Sequence, residues 1–159
     1  MHRLLTIDDF EVLGDAQSCA VLSELAEYEA SGEPFVSIVS RGDYGTWGGF
    51  QFMELSFEVQ IIAESGEVFS TQNPDVTQRF VPNHIRREIL PLVAKQYSAI
   101  LERFRPGFVY RGCAQPNLPE TALEKHRFLT KAIIGCGYYM YREGTDEFGH
   151  GFWLCGAAN

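Results

Sequence analysis

Residues 53–61 alternate without a break: Met53, Leu55, Phe57, Val59 and Ile61 are apolar, and Glu54, Ser56, Glu58 and Gln60 are polar. A period of two is the repeat of a β-strand with one buried face and one solvated face. The chain must therefore build a sheet with a covered side and a wet side, and the wet side carries Glu54 and Glu58. Phe50 and Phe52 fall out of phase with the apolar set, which predicts a bulge near residues 52–53. Upstream, residues 35–40 read as a strand from their β-branched content. Downstream, Glu64-Ser65-Gly66-Glu67 reads as a hairpin turn into a strand over 68–71. Residues 35–72 are thus expected to form a three-stranded antiparallel meander. Within it, residues 41–49 contain four glycines and predict a turn or pliable loop that displays Tyr44 and Trp47, with Phe50 just beyond.

Helical signals flank this meander. Val21, Leu22, Leu25 and Tyr28 form an apolar stripe behind Asp15 and Ser18, and Gly32 follows, so a helix is expected up to Ala30. Residues 72–82 are rich in turn formers and predict a loop. Asn83 can cap a helix reaching Phe104, which Pro91 should break or kink. A short strand is expected over 108–111. Asn117, with Pro119 just inside, marks the start of a helix that ends near Ile134 at Gly135. Strands over 137–142 and 149–155 close the chain. Antiparallel strands interrupted by helices indicate an α+β fold: a meander plus C-terminal strands, with about three helices on one sheet face.

A length of 159 residues matches one domain, 1–159. No apolar run reaches membrane-spanning length, and no signal-like core follows Met1. A cytoplasmic setting is expected, in a bacterium or a virus-infected cell. Cys19, Cys113, Cys136 and Cys155 lack the paired spacing of a zinc site, and a core of this size needs no cross-links, so free thiols are expected. No cofactor signature is present.

The net charge of −8 conceals an uneven distribution. Residues 1–78 hold fourteen acids against Arg3 and Arg41, whereas residues 79–131 hold ten cations against four glutamates. Either the two halves neutralise one another in solvated ion pairs, or an acidic face steers a basic partner. The acidic balance argues against direct nucleic-acid binding.

Catalytic signals are sparse. His126 shares a helical stripe with Ala122, Leu129 and Ile133, as expected of a semi-buried histidine. Cys113 lies near Arg111 just after a strand. No paired metal ligands, nucleotide loop or nucleophile elbow is present. The sequence therefore points to a non-catalytic binding protein, an inhibitor or accessory protein of bacterial or phage type. Its partner-binding residues would be Tyr44, Trp47, Phe50, Glu54 and Glu58. Its partner would be a protein, basic or itself nucleic-acid-binding. The alternative is a small transferase or hydrolase with a cleft near Arg111, Cys113 and His126 or His150. A further expectation is a homo-oligomer in which a neighbour covers the apolar strand at 152–155.

Overall fold

The computed structural model describes residues 1–116 and 118–158. Nine strands form one sheet: β1 (His2–Leu4), β2 (Leu13–Gly14), β3 (Ser18–Tyr28), β4 (Pro34–Trp47), β5 (Phe50–Ile62), β6 (Val68–Thr71), β7 (Phe108–Pro116), β8 (Tyr138–Thr145) and β9 (His150–Ala157). The helices are α1 (Pro74–Phe80), α2 (Asn83–Arg86), α3 (Ile89–Phe104) and α4 (Glu120–Ile134). The fold is thus mixed α and β. The strand order is β1-β3-β4-β5-β7-β9-β8, with β2 beside β3 and β6 beside β5. Pairing is antiparallel except between β5 and β7. These run parallel at Met53↔Val109 and Glu54↔Tyr110, so the expectation of a wholly antiparallel sheet is corrected. The long connection through α1, α2 and α3 brings β7 back in the direction of β5.

The alternation in β5 puts Met53, Leu55, Val59 and Ile61 into the core. They meet Val36 and Ile38 from β4 and Val21 and Leu25 from β3. Helix α3 closes this core with Ile89, Leu92, Val93, Tyr97, Ile100 and Leu101; α4 adds Leu129 and Ile133. Helix α3 packs on β3 and β4, and α4 on β8 and β9. Among the described residues, no helix packs against the opposite sheet face.

The largest correction concerns residues 18–28, which form a strand and not a helix. Cys19, Val21, Ser23 and Leu25 are buried while Leu22 is 59% exposed, so the real period is two. Val21 and Leu25 are also spaced as on a helix, and Glu, Ala and Leu favour helices. Pairing with β4 along one edge and with β1 and β2 along the other overrides that propensity. Asp15 caps no helix. Its Oδ1 accepts from the backbone N–H groups of Gln17 and Ser18, which closes a turn into β3.

The meander over β4, β5 and β6 matches the expectation, with two changes. β4 runs through the glycine-rich stretch, and only Gly48 and Gly49 form the turn, at φ 54° and 87°. Positive φ at both residues is the signature of the tight hairpin turn whose twist matches its strands. No bulge exists near residue 52, since β4 and β5 pair continuously from Val36↔Ile61 to Trp47↔Phe50. Phe50 and Phe52 simply belong to the open face.

Residues 74–80, expected as loop, form α1. The Asn73 side chain accepts from the Asp75 N–H, and Pro74 occupies the first turn. Pro91 sits in the first turn of α3, where its missing N–H costs nothing, so the break falls before it at Arg87 and Glu88. Asn83 opens α2 and does not cap it. The helix start assigned to Asn117 lies outside the described residues, and α4 begins at Glu120 behind Pro119. β7 extends past the expected strand, so Cys113 is a strand residue. Phe152 to Cys155 are buried inside this chain, because β9 lies between β7 and β8 and needs no neighbouring copy to cover it. All four cysteines are free. No helix of the described residues is long and apolar enough to cross a membrane.

A candidate binding cleft on the open sheet face

Beside the core-facing residues of β4, β5, β7 and β9 stand those of the uncovered side. Near the β4–β5 hairpin they are mostly aromatic. Phe52 stacks at a tilt with Tyr110, ring centres 5.2 Å apart, and Tyr110 lies parallel to Phe152 at 6.5 Å. Trp47 meets the Phe152 ring edge-on at 5.9 Å. A second cluster adjoins this one, with Phe50 packed edge-on against Phe108 and Tyr141.

Glycines let these rings lie down on the sheet. A Cβ on Gly45 would stand 2.7 Å from Phe52 Cε2, and one on Gly112 would stand 3.0 Å from Tyr110 Oη. A bare backbone under an aromatic ring is a recurrent device in twisted sheets. Gly45→Val is therefore expected to destabilise the protein by about 1–2 kcal/mol despite valine's strand preference, because the ring must leave. Urea denaturation checks this, and unchanged stability would show that Phe52 does not rest there.

The rings floor a cleft of about 590 Å³. Trp47, Phe52, Tyr110 and Phe152 line it from below, and Arg142 to Phe148 form a wall. That wall is the β8–β9 hairpin. Its turn is organised by Asp146, whose Oδ1 accepts from the N–H groups of Phe148 and His150 at 2.8 and 2.9 Å. These bonds, with His150 Nδ1 3.4 Å from Oδ2, hold the Asp146 carboxyl below its usual range. The turn leaves Phe148 70% exposed at the mouth. Of the charged lining residues, Asp146 and Glu147 are acidic and Arg142 is basic, whereas Glu143, opposite Trp153, sends its side chain to the helix-bearing side. Glu54 lies on the same face next to Tyr110 in the β5–β7 register. Partial burial and the nearby Asp43 raise its pKa.

The structure separates the five residues expected to bind a partner. Trp47 lines the cleft and is half exposed. Phe50 belongs to the adjoining cluster. Glu54 and Glu58 share the open face, but Arg41 holds Glu58 in an ion pair at 3.4 Å. Tyr44 is opposite Met53 and so falls on the helix-bearing side, away from the cleft. Sequence reading missed Phe52, Tyr110, Phe148 and Phe152. Phe52 was legible, since it is in phase with Phe50 and Glu54. The pairing of β7 with β5 and β9 was not, and it alone delivers Tyr110 and Phe152.

The acidic and basic halves do not neutralise each other through close pairs. Among the described residues, every ion pair within 4.0 Å lies inside one segment: Arg3 with Glu27, Arg41 with Glu58, Arg87 with Glu88, Arg127 with Glu120 and His150 with Asp146.

On the helix-bearing side, Arg111 and His126 converge as a catalytic reading requires, with Arg111 Nη1 3.1 Å from His126 Nδ1. The arginine must donate, so Nδ1 accepts and the imidazole is neutral. Burial, then Arg111, then Lys125 lower the His126 pKa to about 3. Such a ring is a poor base near neutral pH. Its plane stacks on Trp153, with centres 4.5 Å apart. His150 is tied to Asp146 on the far hairpin. Burial pushes the Cys155 thiol up to about 11, which makes it unreactive. Among the described residues, no group of three or more His, Cys, Asp or Glu could hold a metal ion. No protein-family model, curated protein or solved structure matches this chain.

Proposed function

We propose that this is a non-catalytic binding protein, and that its open sheet face takes a basic segment of a protein partner. The observation that carries the reading is the cleft: four aromatic rings on the open sheet face, with the carboxylates of Asp146 and Glu147 on its wall and Glu54 beside Tyr110, against the single cation Arg142. Aromatic faces attract Lys and Arg side chains, and carboxylates at the rim steer and pair with them. The exposed Trp47 and Phe148 supply apolar anchors of the type that dominates interface energetics. Among the described residues no close pair joins the two halves, so the acids of residues 1–78, apart from Glu27 and Glu58 in their own pairs, add long-range attraction. Bound there, the protein would mask the basic surface of its partner, which is the action of an inhibitor or accessory factor.

The test uses four baits in native lysate: wild type, Trp47→Ala, Glu54→Lys and Tyr44→Ala. The expected result is a basic partner held by wild type and by Tyr44→Ala, whose change lies on the other face. Trp47→Ala and Glu54→Lys should each weaken that binding about tenfold. A partner retained equally by all four baits would contradict the assignment of this face.

A further inference from the structure

Arg111 is 4% exposed, and among the described residues no carboxylate lies within 4.0 Å of it. Its hydrogen-bonded neighbour His126 is neutral, and the adjacent Tyr97 phenol brings no charge. Arg111 Nε and Tyr97 Oη are buried without hydrogen-bond partners, and the guanidinium carbon lies 5.7 Å from the centre of the Tyr97 ring. A buried guanidinium is ordinarily matched by an acid, because desolvating an uncompensated charge is costly. A second cation stands close enough for the Arg111 charge to act on it. Lys125 lies on α4 one residue before His126, with Nζ 5.8 Å from the centre of the Phe57 ring. Burial and the Arg111 charge both lower its pKa. Cys113, two residues along β7 from Arg111, is only partly buried, as is Lys125.

We propose that Arg111 and Lys125 form a binding site for one oxyanion group of a small ligand, a phosphate or a carboxylate, between β7 and α4. The planar fork of Arg111 suits two oxygens of such a group, and Lys125 supplies a point charge from the more exposed side. The ligand provides the negative charge that this chain does not place there. Arg111 and Lys125 sit on the helix-bearing side of the sheet, so this site stands or falls independently of the aromatic cleft.

Thermal unfolding in inorganic phosphate and in acetate tests the site, at constant ionic strength set with sodium chloride. Wild type should show a saturable rise, about 5–10 °C at about a hundredfold excess over Kd. Lys125→Met should move the midpoint of that response about tenfold higher in ligand, and Arg111→Met should abolish it. Lys125 is only partly buried, so its variant keeps the test sound if Arg111→Met does not fold. A response to phosphate alone supports a phosphoryl ligand, and a response to acetate supports a carboxylate. The proposal is overturned if neither anion gives a saturable rise in wild type. It is equally overturned if all folded variants respond alike.

Discussion

The unfolding free energy should fall by about 3 kcal/mol between pH 7 and pH 4, and His126→Gln should remove most of that fall. The cause is the site of His126 on α4. Helix α4 buries the ring against Trp153, Arg111 presents a cation to its Nδ1, and Lys125 adds another. All three disfavour the imidazolium, so the folded-state pKa drops to about 3 from an ordinary 6.5. Above pH 6.5 the ring is neutral in both folded and unfolded chains, and full stability is present. Below 6.5 the unfolded chain takes up a proton that the folded chain refuses, so stability is lost as pH falls towards 3. Each pH unit in that window costs about 1.4 kcal/mol. Glutamine keeps an acceptor for Arg111 while removing the titration. The carboxylates titrate in both proteins and cancel in the comparison. Urea denaturation at successive pH values measures the difference, and parallel stability curves would show that His126 is not held neutral.

Gln96→Leu should cost about 3 kcal/mol, although leucine is the better helix former and apolar. Gln96 is fully buried on α3 and clamps two strands. Its Nε2 donates to Ile38 O at 3.0 Å and to Ser23 Oγ at 3.1 Å, and its Oε1 accepts from Ser40 Oγ at 2.7 Å. Ser23 and Ser40 are buried as well. Leucine would strand two hydroxyls and a carbonyl that cannot reach water, and an abandoned buried polar group costs about 1–3 kcal/mol. The triple variant Ser23→Ala, Ser40→Ala, Gln96→Leu should recover most of the loss, because it removes stranded partners along with their anchor. A single variant as stable as wild type, in a urea midpoint comparison, would show that this network contributes nothing.

The same polar clamp explains why part of the fold was hidden in the sequence. Ser23 and Ser40 look like surface residues, and a buried Gln96 on an otherwise apolar helix face has no local signal. Period two in β5 was plain because polar and apolar residues alternate there cleanly. In β3 the alternation includes a buried serine and a 59% exposed Leu22, and it resembles a helical stripe. The hairpin strands β4, β5 and β6 were legible because their contacts are local. The parallel contact of β5 with β7 was not, since it joins residues 53 and 109 across three helices. That contact assembles the aromatic cleft, so Trp47, Phe50 and Glu54 could be read from one segment while Tyr110 and Phe152 could not. The convergence of Arg111 with His126 likewise depends on how β7 and α4 meet.

An NMR amide titration with a hexalysine peptide, against hexaglutamate at the same ionic strength, decides whether the aromatic cleft takes a basic chain. Hexalysine-dependent shifts should concentrate at Trp47, Phe52, Tyr110, Phe152 and the hairpin around Asp146, and added salt should weaken them. Hexaglutamate should produce no comparable response. Shifts scattered over the acids of the N-terminal half with none at the cleft, or no shifts at all, would contradict binding there.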